Sequence, residues 1–97
     1  MGSLDEFAKK IASLKSLLHE RYAVSKIEVF GSYVRGEQHK NSDLDILVEY
    51  DKAVDLLDLV SLEMYLGEQF GVRVDVVPKR SIRPELRAEI INEAITL

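Results

Sequence analysis

The sequence of 97 residues predicts an α+β fold, in which helices flank a small mixed β-sheet of about three to four strands. Short runs rich in Val, Ile and Leu have the length and alternation that are typical of buried strands. They are separated by longer segments whose apolar residues recur at every third or fourth position, as in amphipathic helices. We expect one domain spanning residues 1–97, with a modest hydrophobic core.

The first half of the chain predicts a long helix, a strand and a short second helix. Ser3 and Glu6 form a candidate capping box at the start of the first helix. Its apolar residues keep helical spacing, so we expect it to run to about Tyr22. The next elements are a strand over residues 25–30, a short helix over residues 32–35 and a polar loop over residues 37–41.

The second half predicts two strands that alternate with two helices. A strand over residues 43–49 precedes a helix over residues 53–70, which Gly71 closes as a left-handed C-terminal cap. A strand over residues 72–77 follows, and Pro84 opens the last helix, since proline suits the first helical position. The apolar residues of this last helix are Leu86, Ile90 and Ala94.

The third predicted helix carries apolar residues around most of its circumference. Leu57 and Met64 fall near one side, whereas Leu56, Leu62 and Leu66 spread around the rest. A helix that is apolar nearly all round is either deeply buried or part of an interface. Because deep burial is difficult in a domain of this size, we favour an interface with another copy or another protein.

Gly31 and Ser32 form a candidate phosphate-binding turn. They lie where a short apolar run stops and a helix is predicted to begin, so free N–H groups there could bind an anion. The lack of a side chain at Gly31 would let phosphate approach the backbone closely. The alternative is that the two residues form an ordinary turn.

Asp43 and Asp45 are candidate ligands for a divalent metal ion. They lie two positions apart at the head of an apolar strand, so both side chains should share one face. Two carboxylates this close repel each other unless a cation or a basic group neutralises their charge. Oxygen ligands of this kind suit Mg²⁺ or Mn²⁺. The alternative is a solvated strand face.

Asp75 is a third candidate ligand, in the alternating Val-rich run after the third helix. If its strand pairs beside that of Asp43 and Asp45, the three carboxylates can converge. Such a set can hold two metal ions, which activate an attacking oxygen and neutralise a leaving pyrophosphate during displacement at phosphorus. Asp75 could instead be a strand-end residue paired with Arg73 or Lys79.

The combined pattern resembles the DNA polymerase β-type nucleotidyltransferase superfamily. The residues that carry the resemblance are Gly31-Ser32, Asp43-Leu44-Asp45 and the later Asp75. The segments over residues 31–36 and 41–45 resemble, more narrowly, the minimal nucleotidyltransferases encoded beside HEPN-domain partners. The resemblance covers nearly the whole chain and implies a polymerase-β-like nucleotidyltransferase fold.

The resemblance also implies a role for each matching residue. Gly31 and Ser32 would bind the nucleoside triphosphate. Asp43 and Asp45 would bind two Mg²⁺ ions, with Mn²⁺ as the alternative metal. Asp75 would complete the metal site and help to deprotonate the acceptor hydroxyl.

Arg35 begins an Arg-Gly pair that recurs in the minimal nucleotidyltransferases. It lies one helical turn after the Gly-Ser turn, so its guanidinium could face the phosphates or brace a catalytic aspartate. The alternative is a salt bridge with Glu37 or Asp43. Tyr33 and Val34 depart from the pattern because they are bulkier than the residues usual at this turn.

The composition argues against several classes of protein. With no cysteine, neither a disulfide framework nor a thiolate zinc site is expected. The formal net charge of −4 argues against strong nonspecific binding to nucleic acid. No apolar run approaches the ~20 residues of a membrane span, and the acidic N-terminus does not resemble a signal peptide, so the cytoplasm is the expected compartment.

Together, the motifs and the resemblance predict an enzyme that transfers AMP from ATP to a hydroxyl group of a HEPN toxin and so acts as its antitoxin. Larger nucleotidyltransferases add a helical domain that closes the cleft, and we expect another copy or another protein to supply that half here. The alternative is a non-catalytic binding module that neutralises its partner by occlusion. The three acidic positions favour the enzyme, and the absent second domain disfavours transfer to a small molecule.

Overall fold

The structure, a computed structural model, describes residues 4–97. The elements follow the predicted order, with a 3-10 turn and a short last strand in addition, and the α+β class is confirmed. In chain order they are α1 (Leu4–Tyr22), β1 (Val24–Phe30), α2 (Ser32–Arg35), β2 (Leu44–Tyr50), α3 (Leu56–Phe70), β3 (Val74–Pro78), the 3-10 turn (Lys79–Ser81), α4 (Pro84–Glu93) and β4 (Ile95–Thr96).

The strands form one mixed sheet in the order β3-β2-β1-β4. β1 pairs antiparallel with β2 and with β4, whereas β2 and β3 are parallel. The parallel pair arises because α3 carries the chain from the end of β2 back to the start of β3. As a result, β2 and β3 begin at the same edge of the sheet at which β1 ends.

One face of the sheet packs against α1 and α3 and forms the hydrophobic core. Side chains alternate along a strand, so Leu44, Ile46 and Val48 of β2 are buried in this core. Asp45 lies between two of them and therefore faces the other side of the sheet. The helices contribute Phe7, Ile11, Leu18, Leu62 and Leu66 to the core.

The third helix begins three residues later than predicted, at Leu56 rather than Ala53. Asp55 is the N-cap, because its side chain accepts a hydrogen bond from the Asp58 N–H at 2.9 Å. The Asp58 side chain in turn accepts from the Asp55 N–H at 3.0 Å, which completes a capping box. At the other end, Gly71 adopts a φ of 70°, so the predicted left-handed cap is confirmed.

The strand boundaries lie within two residues of their predicted positions. The observed strands begin at Val24, Leu44 and Val74. Asp43 was expected to be the first residue of its strand and instead directly precedes β2. The alternation of the strand therefore does not by itself place Asp43 on the same face as Asp45.

The last helix begins at Pro84, as predicted, but ends one residue early. Ala94 is its C-cap in an extended conformation and not a helical residue, because the chain turns there into β4. None of the residues of α4 is buried, so this helix packs loosely on the rest of the domain. The capping box proposed for Ser3 and Glu6 involves a residue outside the described range.

The third helix is buried along one side only. Leu62 and Leu66 are fully buried, whereas Leu56 is 73%, Leu57 77% and Met64 64% exposed. The exposed residues form an apolar stripe, and its use as an interface stays a prediction. No helix within residues 4–97 is long and apolar enough to cross a membrane.

Candidate active site

Asp45 and Asp75 lie side by side on neighbouring strands. The parallel pairing of β2 with β3 places the two residues in register, and paired residues on adjacent strands lie about 4.8 Å apart. Both side chains point away from the core, where Asp45 is half-buried and Asp75 is exposed. The fold thus brings together two of the three carboxylates that the sequence singled out.

Asp43 is held by a basic residue at the head of the next strand. Its Oδ1 atom lies 3.0 Å from Nε of Arg73, whose side chain is 77% exposed, while that of Asp43 is 46% exposed. Lys79 lies 3.5 Å from a carboxylate oxygen of Glu49. The two basic residues considered as partners of Asp75 therefore form their ion pairs with other carboxylates.

The charged form of the Asp45 carboxyl is disfavoured in this environment. Burial is the largest cause, followed by the negative charges of Asp75 and Asp43, and together they raise the pKa of Asp45 to about 6. Arg35 acts in the opposite direction, and Glu93 adds a smaller rise to the pKa. A cation bound between the carboxylates would remove this repulsion.

Gly31 follows β1 directly and lies next to Asp45, because Phe30 pairs with Asp45 in the sheet. Its φ of 83° lies in the left-handed region that other residues rarely adopt. A Cβ atom built at Gly31 would overlap Oδ2 of Asp45. The contact with Asp45 thus explains why glycine is needed at position 31, and the sequence alone did not indicate this contact. Close approach of a phosphate to Gly31 stays a prediction.

The short helix α2 is a single turn that begins at Ser32, with Gly31 as its N-cap. The backbone N–H groups of Val34 and Arg35 both donate to the Gly31 carbonyl, at 3.0 and 3.2 Å. Tyr33 is buried and packs against Phe7 with ring centroids 5.6 Å apart. The unusual bulk of Tyr33 is therefore accommodated in the core rather than beside a ligand.

Arg35 is fixed by two carboxylates. Its Nε donates to Glu37 and its Nη1 donates to Glu93, each at 2.7 Å. These contacts, with the hydrogen bond to Glu37 first, raise the pKa of Arg35. Of the two salt bridges considered from the sequence, the one with Glu37 forms, while Asp43 pairs with Arg73.

Glu93, the last residue of α4, is a site residue that sequence reasoning missed. Its Oε1 atom accepts hydrogen bonds from the backbone N–H of Gly31 at 2.8 Å and from Arg35 at 2.7 Å. Gly31 and Glu93 are 62 positions apart, and no motif or periodicity in the sequence relates them. They come together because the end of α4 lies beside the turn that follows β1.

The chemistry of the acidic side chains fits a hard divalent cation, for which carboxylate oxygens are the preferred ligands. Asp45 and Asp75 are adjacent, but Asp43 is turned toward Arg73. As the side chains stand, no three acidic or histidine groups within residues 4–97 are gathered closely enough to hold a metal ion. A three-carboxylate site would need Asp43 to turn from Arg73 toward Asp45, and it stays a prediction.

Comparison with known proteins agrees with this geometry. Residues 9–97 match the family of the nucleotidyltransferase domain. The protein adenylyltransferase MntA of Thermococcus cleftensis is 40% identical over 95 residues, which cover 98% of this chain and 96% of that protein.

Two solved structures extend the similarity to the fold. One, assigned as a minimal nucleotidyltransferase, has a TM-score of 0.81 at 38% identity and covers 99% of this chain and 97% of that one. The other, a toxin–antitoxin pair with AMP-PNP, has a TM-score of 0.75 at 30% identity and covers 91% and 69% of the two chains. The resemblance seen in the motifs is confirmed, and the chain belongs to the nucleotidyltransferase domain family.

Proposed function

We propose that this protein transfers AMP from ATP to a hydroxyl group of a HEPN-domain toxin and thereby acts as the antitoxin of that toxin. The observation that carries the proposal is the pairing of Asp45 with Asp75 in register, beside the turn at Gly31. These two carboxylates repel each other and lie beside the turn to which we assign the triphosphate. A divalent cation could therefore be shared between the carboxylates and the phosphates.

The proposed chemistry is a displacement at the α-phosphorus of ATP. The acceptor hydroxyl oxygen forms a bond to this phosphorus, the bond to the bridging oxygen breaks, and pyrophosphate leaves with the electron pair. Asp75 is exposed, and in the proposed reaction it takes the hydroxyl proton. When bound, Mg²⁺ or Mn²⁺ supplies positive charge that offsets the charge of the phosphates.

The metal would be held by Asp43, Asp45 and Asp75, whose oxygen donors suit two Mg²⁺ ions. The triphosphate would be bound by the backbone at Gly31 and by Ser32, which is partly exposed at the start of α2. The positions of Asp45 and Asp75 beside the turn, at one edge of the sheet, support this division.

Arg35 would bind the phosphates rather than the catalytic aspartates. Its guanidinium lies at the turn, where it contacts Glu37 and Glu93, and it counteracts the rise in the pKa of Asp45 without an ion pair to that residue. A planar guanidinium that donates from two edges is suited to phosphate oxygens.

The nature of the substrate and the partner is supported by the relatives. The relative from Thermococcus cleftensis is a protein adenylyltransferase, and the solved toxin–antitoxin pair holds AMP-PNP, an analogue of ATP. The motifs over residues 31–36 and 41–45 add the resemblance to proteins encoded beside HEPN partners. For a reaction that uses ATP we expect the protein to act in the cytoplasm.

Labelled ATP, Mg²⁺ and the purified toxin from the neighbouring gene provide the direct test. The parent protein should transfer label to the toxin, and the double variant Asp43→Asn/Asp45→Asn should not. The matched control is Asp51→Asn, which makes the same change at an exposed residue paired with His19. Transfer by the double variant would place the catalytic site elsewhere.

The requirement for metal has a readout that does not depend on turnover. Calorimetry of AMP-PNP binding should show an affinity that falls sharply when EDTA replaces Mg²⁺, because the phosphates would then lie beside the carboxylates with no cation between them. Equal affinity with and without metal would contradict the role given to Asp43 and Asp45.

Asp75→Ala separates catalysis from occlusion. This variant should lose about 10²–10⁴-fold in turnover if Asp75 acts as general base, and more if it also binds metal, yet it should still bind the toxin. The toxin should then stay active in the complex. If Asp75→Ala neutralises the toxin as well as the parent does, covering the toxin is sufficient and the proposed transfer is dispensable.

A further inference from the structure

Glu93 accepts hydrogen bonds from two donors at the turn of Gly31, one from the backbone and one from a side chain. A single atom, Oε1, accepts from the Gly31 N–H at 2.8 Å and from Nη1 of Arg35 at 2.7 Å. A phosphate oxygen bound at this turn would accept from the same pair, a backbone amide and a guanidinium. The carboxylate of Glu93 therefore stands where the proposed nucleotide would place an anionic oxygen.

Glu93 opposes the binding of a triphosphate in two ways: it repels the phosphates, and it occupies the space beside the Gly31 N–H. Asp43, Asp45 and Asp75 already make this edge of the sheet acidic, and Glu93 adds a fourth carboxylate. While Glu93 is in place, an approaching phosphate meets a like charge and finds Gly31 N–H already bonded. The two anions cannot hold these donors together.

Arg35 is built to keep its place when Glu93 leaves. Its Nε atom is bonded to Glu37 at 2.7 Å, whereas a different nitrogen, Nη1, is bonded to Glu93. Loss of the Glu93 contact leaves the guanidinium anchored at one edge and frees the other edge for a phosphate. Glu37 thus positions Arg35, whereas Glu93 occupies the nitrogen that a phosphate could use.

The helix that carries Glu93 is more easily shifted than the Glu93 side chain itself. Glu93 is the last residue of α4, a helix with no buried residue, although its own side chain is only 18% exposed. The strand that follows, β4, is short: Ile95 and Thr96 pair with β1, and the Leu97 N–H donates to the Ile27 carbonyl at 3.2 Å. A change of side-chain rotamer or a small shift of the end of α4 would suffice to release the turn.

We propose that Glu93 is a built-in competitor of the nucleoside triphosphate, which holds the donors of Gly31 and Arg35 in the resting protein and is displaced when nucleotide binds. This role rests on the proposed function, because it assigns the same turn to the phosphates. Glu93 then weakens nucleotide binding at rest and ties occupancy of the site to the position of α4.

Calorimetry with AMP-PNP and Mg²⁺ tests this role through two variants. Glu93→Gln removes the charge but keeps an acceptor oxygen, so its Kd should be about tenfold lower than that of the parent. Glu93→Ala removes the acceptor as well and should bind at least as tightly as Glu93→Gln. The matched control is Glu85→Gln, which removes the same charge from α4 at an exposed residue paired with Arg83 and should leave the Kd unchanged.

Each result decides the matter. Equal Kd values for the parent and both Glu93 variants would overturn the competitor role while leaving the nucleotide site intact. Weaker binding by both variants would also overturn it and would identify Glu93 as a residue that positions Arg35. Failure of the parent and of every variant to bind AMP-PNP would overturn the proposed nucleotide site, and the competitor role with it. Thermal unfolding of each variant confirms that it is folded before binding is measured.

Discussion

Oδ2 of Asp45 lies in the space that a Cβ atom would fill at Gly31. Gly31 directly follows β1 and Asp45 lies in β2, and the contact forms because Phe30 pairs with Asp45 where β1 ends. The backbone at Gly31 also has a positive φ of 83°. One glycine therefore meets two separate demands, for an unusual backbone conformation and for close approach of a carboxylate.

The first prediction compares Gly31→Ala with Gly36→Ala. Both residues have positive φ, at 83° and 70°, but a Cβ at Gly36 meets nothing within 4 Å. Gly36→Ala should cost about 1 kcal/mol of unfolding free energy through backbone strain alone. Gly31→Ala should cost about 3 kcal/mol or displace Asp45, because it adds the overlap. Denaturant unfolding measures both, and equal losses would contradict the contact between Gly31 and Asp45.

The second prediction concerns pH and the metal-free protein. The pKa of Asp45 is raised to about 6 from its ordinary value of 3.8, so the folded state holds this proton over a range in which the unfolded state has released it. The tighter binding of this proton by the folded state stabilises the protein fully at a pH below 3.8, and this stabilisation is lost as the pH rises to about 6. Because the carboxyl is half-exposed, we expect a loss of only about 1 kcal/mol.

Asp45→Asn isolates this contribution. The variant keeps the shape of the side chain but does not titrate. Between pH 4 and pH 6 the parent should lose stability and the variant should not, so the free energy of unfolding of the variant should rise relative to that of the parent. Asp75→Asn should lower the pKa of Asp45, because it removes the second-largest cause of the rise. Denaturant unfolding in EDTA across this range provides the measurement. A constant difference between the parent and Asp45→Asn would rule out the raised pKa.

The third prediction tests the packing of α3 with two leucines five positions apart. Leu62 is fully buried in the core, whereas Leu57 is 77% exposed. Leu62→Ala should lower the free energy of unfolding by about 2–5 kcal/mol, whereas Leu57→Ala should change it by less than about 0.5 kcal/mol. A large loss for Leu57→Ala in the isolated protein would show that the apolar stripe is covered in solution, and light scattering would then identify self-association.

The sequence was sufficient for the elements whose signals are local. Gly71 and Pro84 marked helix ends correctly, because their backbone preferences act within a single turn. Alternation in the Val-rich run predicted the strand that carries Asp75. Periodicity and turn chemistry were enough for these features because neither depends on distant parts of the chain.

The remaining features depend on contacts between distant residues. β4 has two residues, too few to produce a recognisable pattern. It forms because its backbone pairs with that of β1. The contact of Glu93 with Gly31 joins residues 62 positions apart, and the pairing of Arg73 with Asp43 depends on two strands starting together. Such contacts follow from the tertiary path and leave no trace in local composition.

The short pairing of β4 with β1 has a consequence for the order in which the chain folds. β1 and β2 are neighbours in sequence, whereas Glu28 and Thr96 meet only after almost the whole chain has been ordered. Since closing a long loop must precede such a contact, we expect the C-terminal segment to dock last. Pulse-labelled hydrogen exchange should show protection in β1 and β2 before protection at Ile95, and the reverse order would contradict this expectation. During synthesis and refolding, the acidic edge would then form before Glu93 arrives to cover the turn.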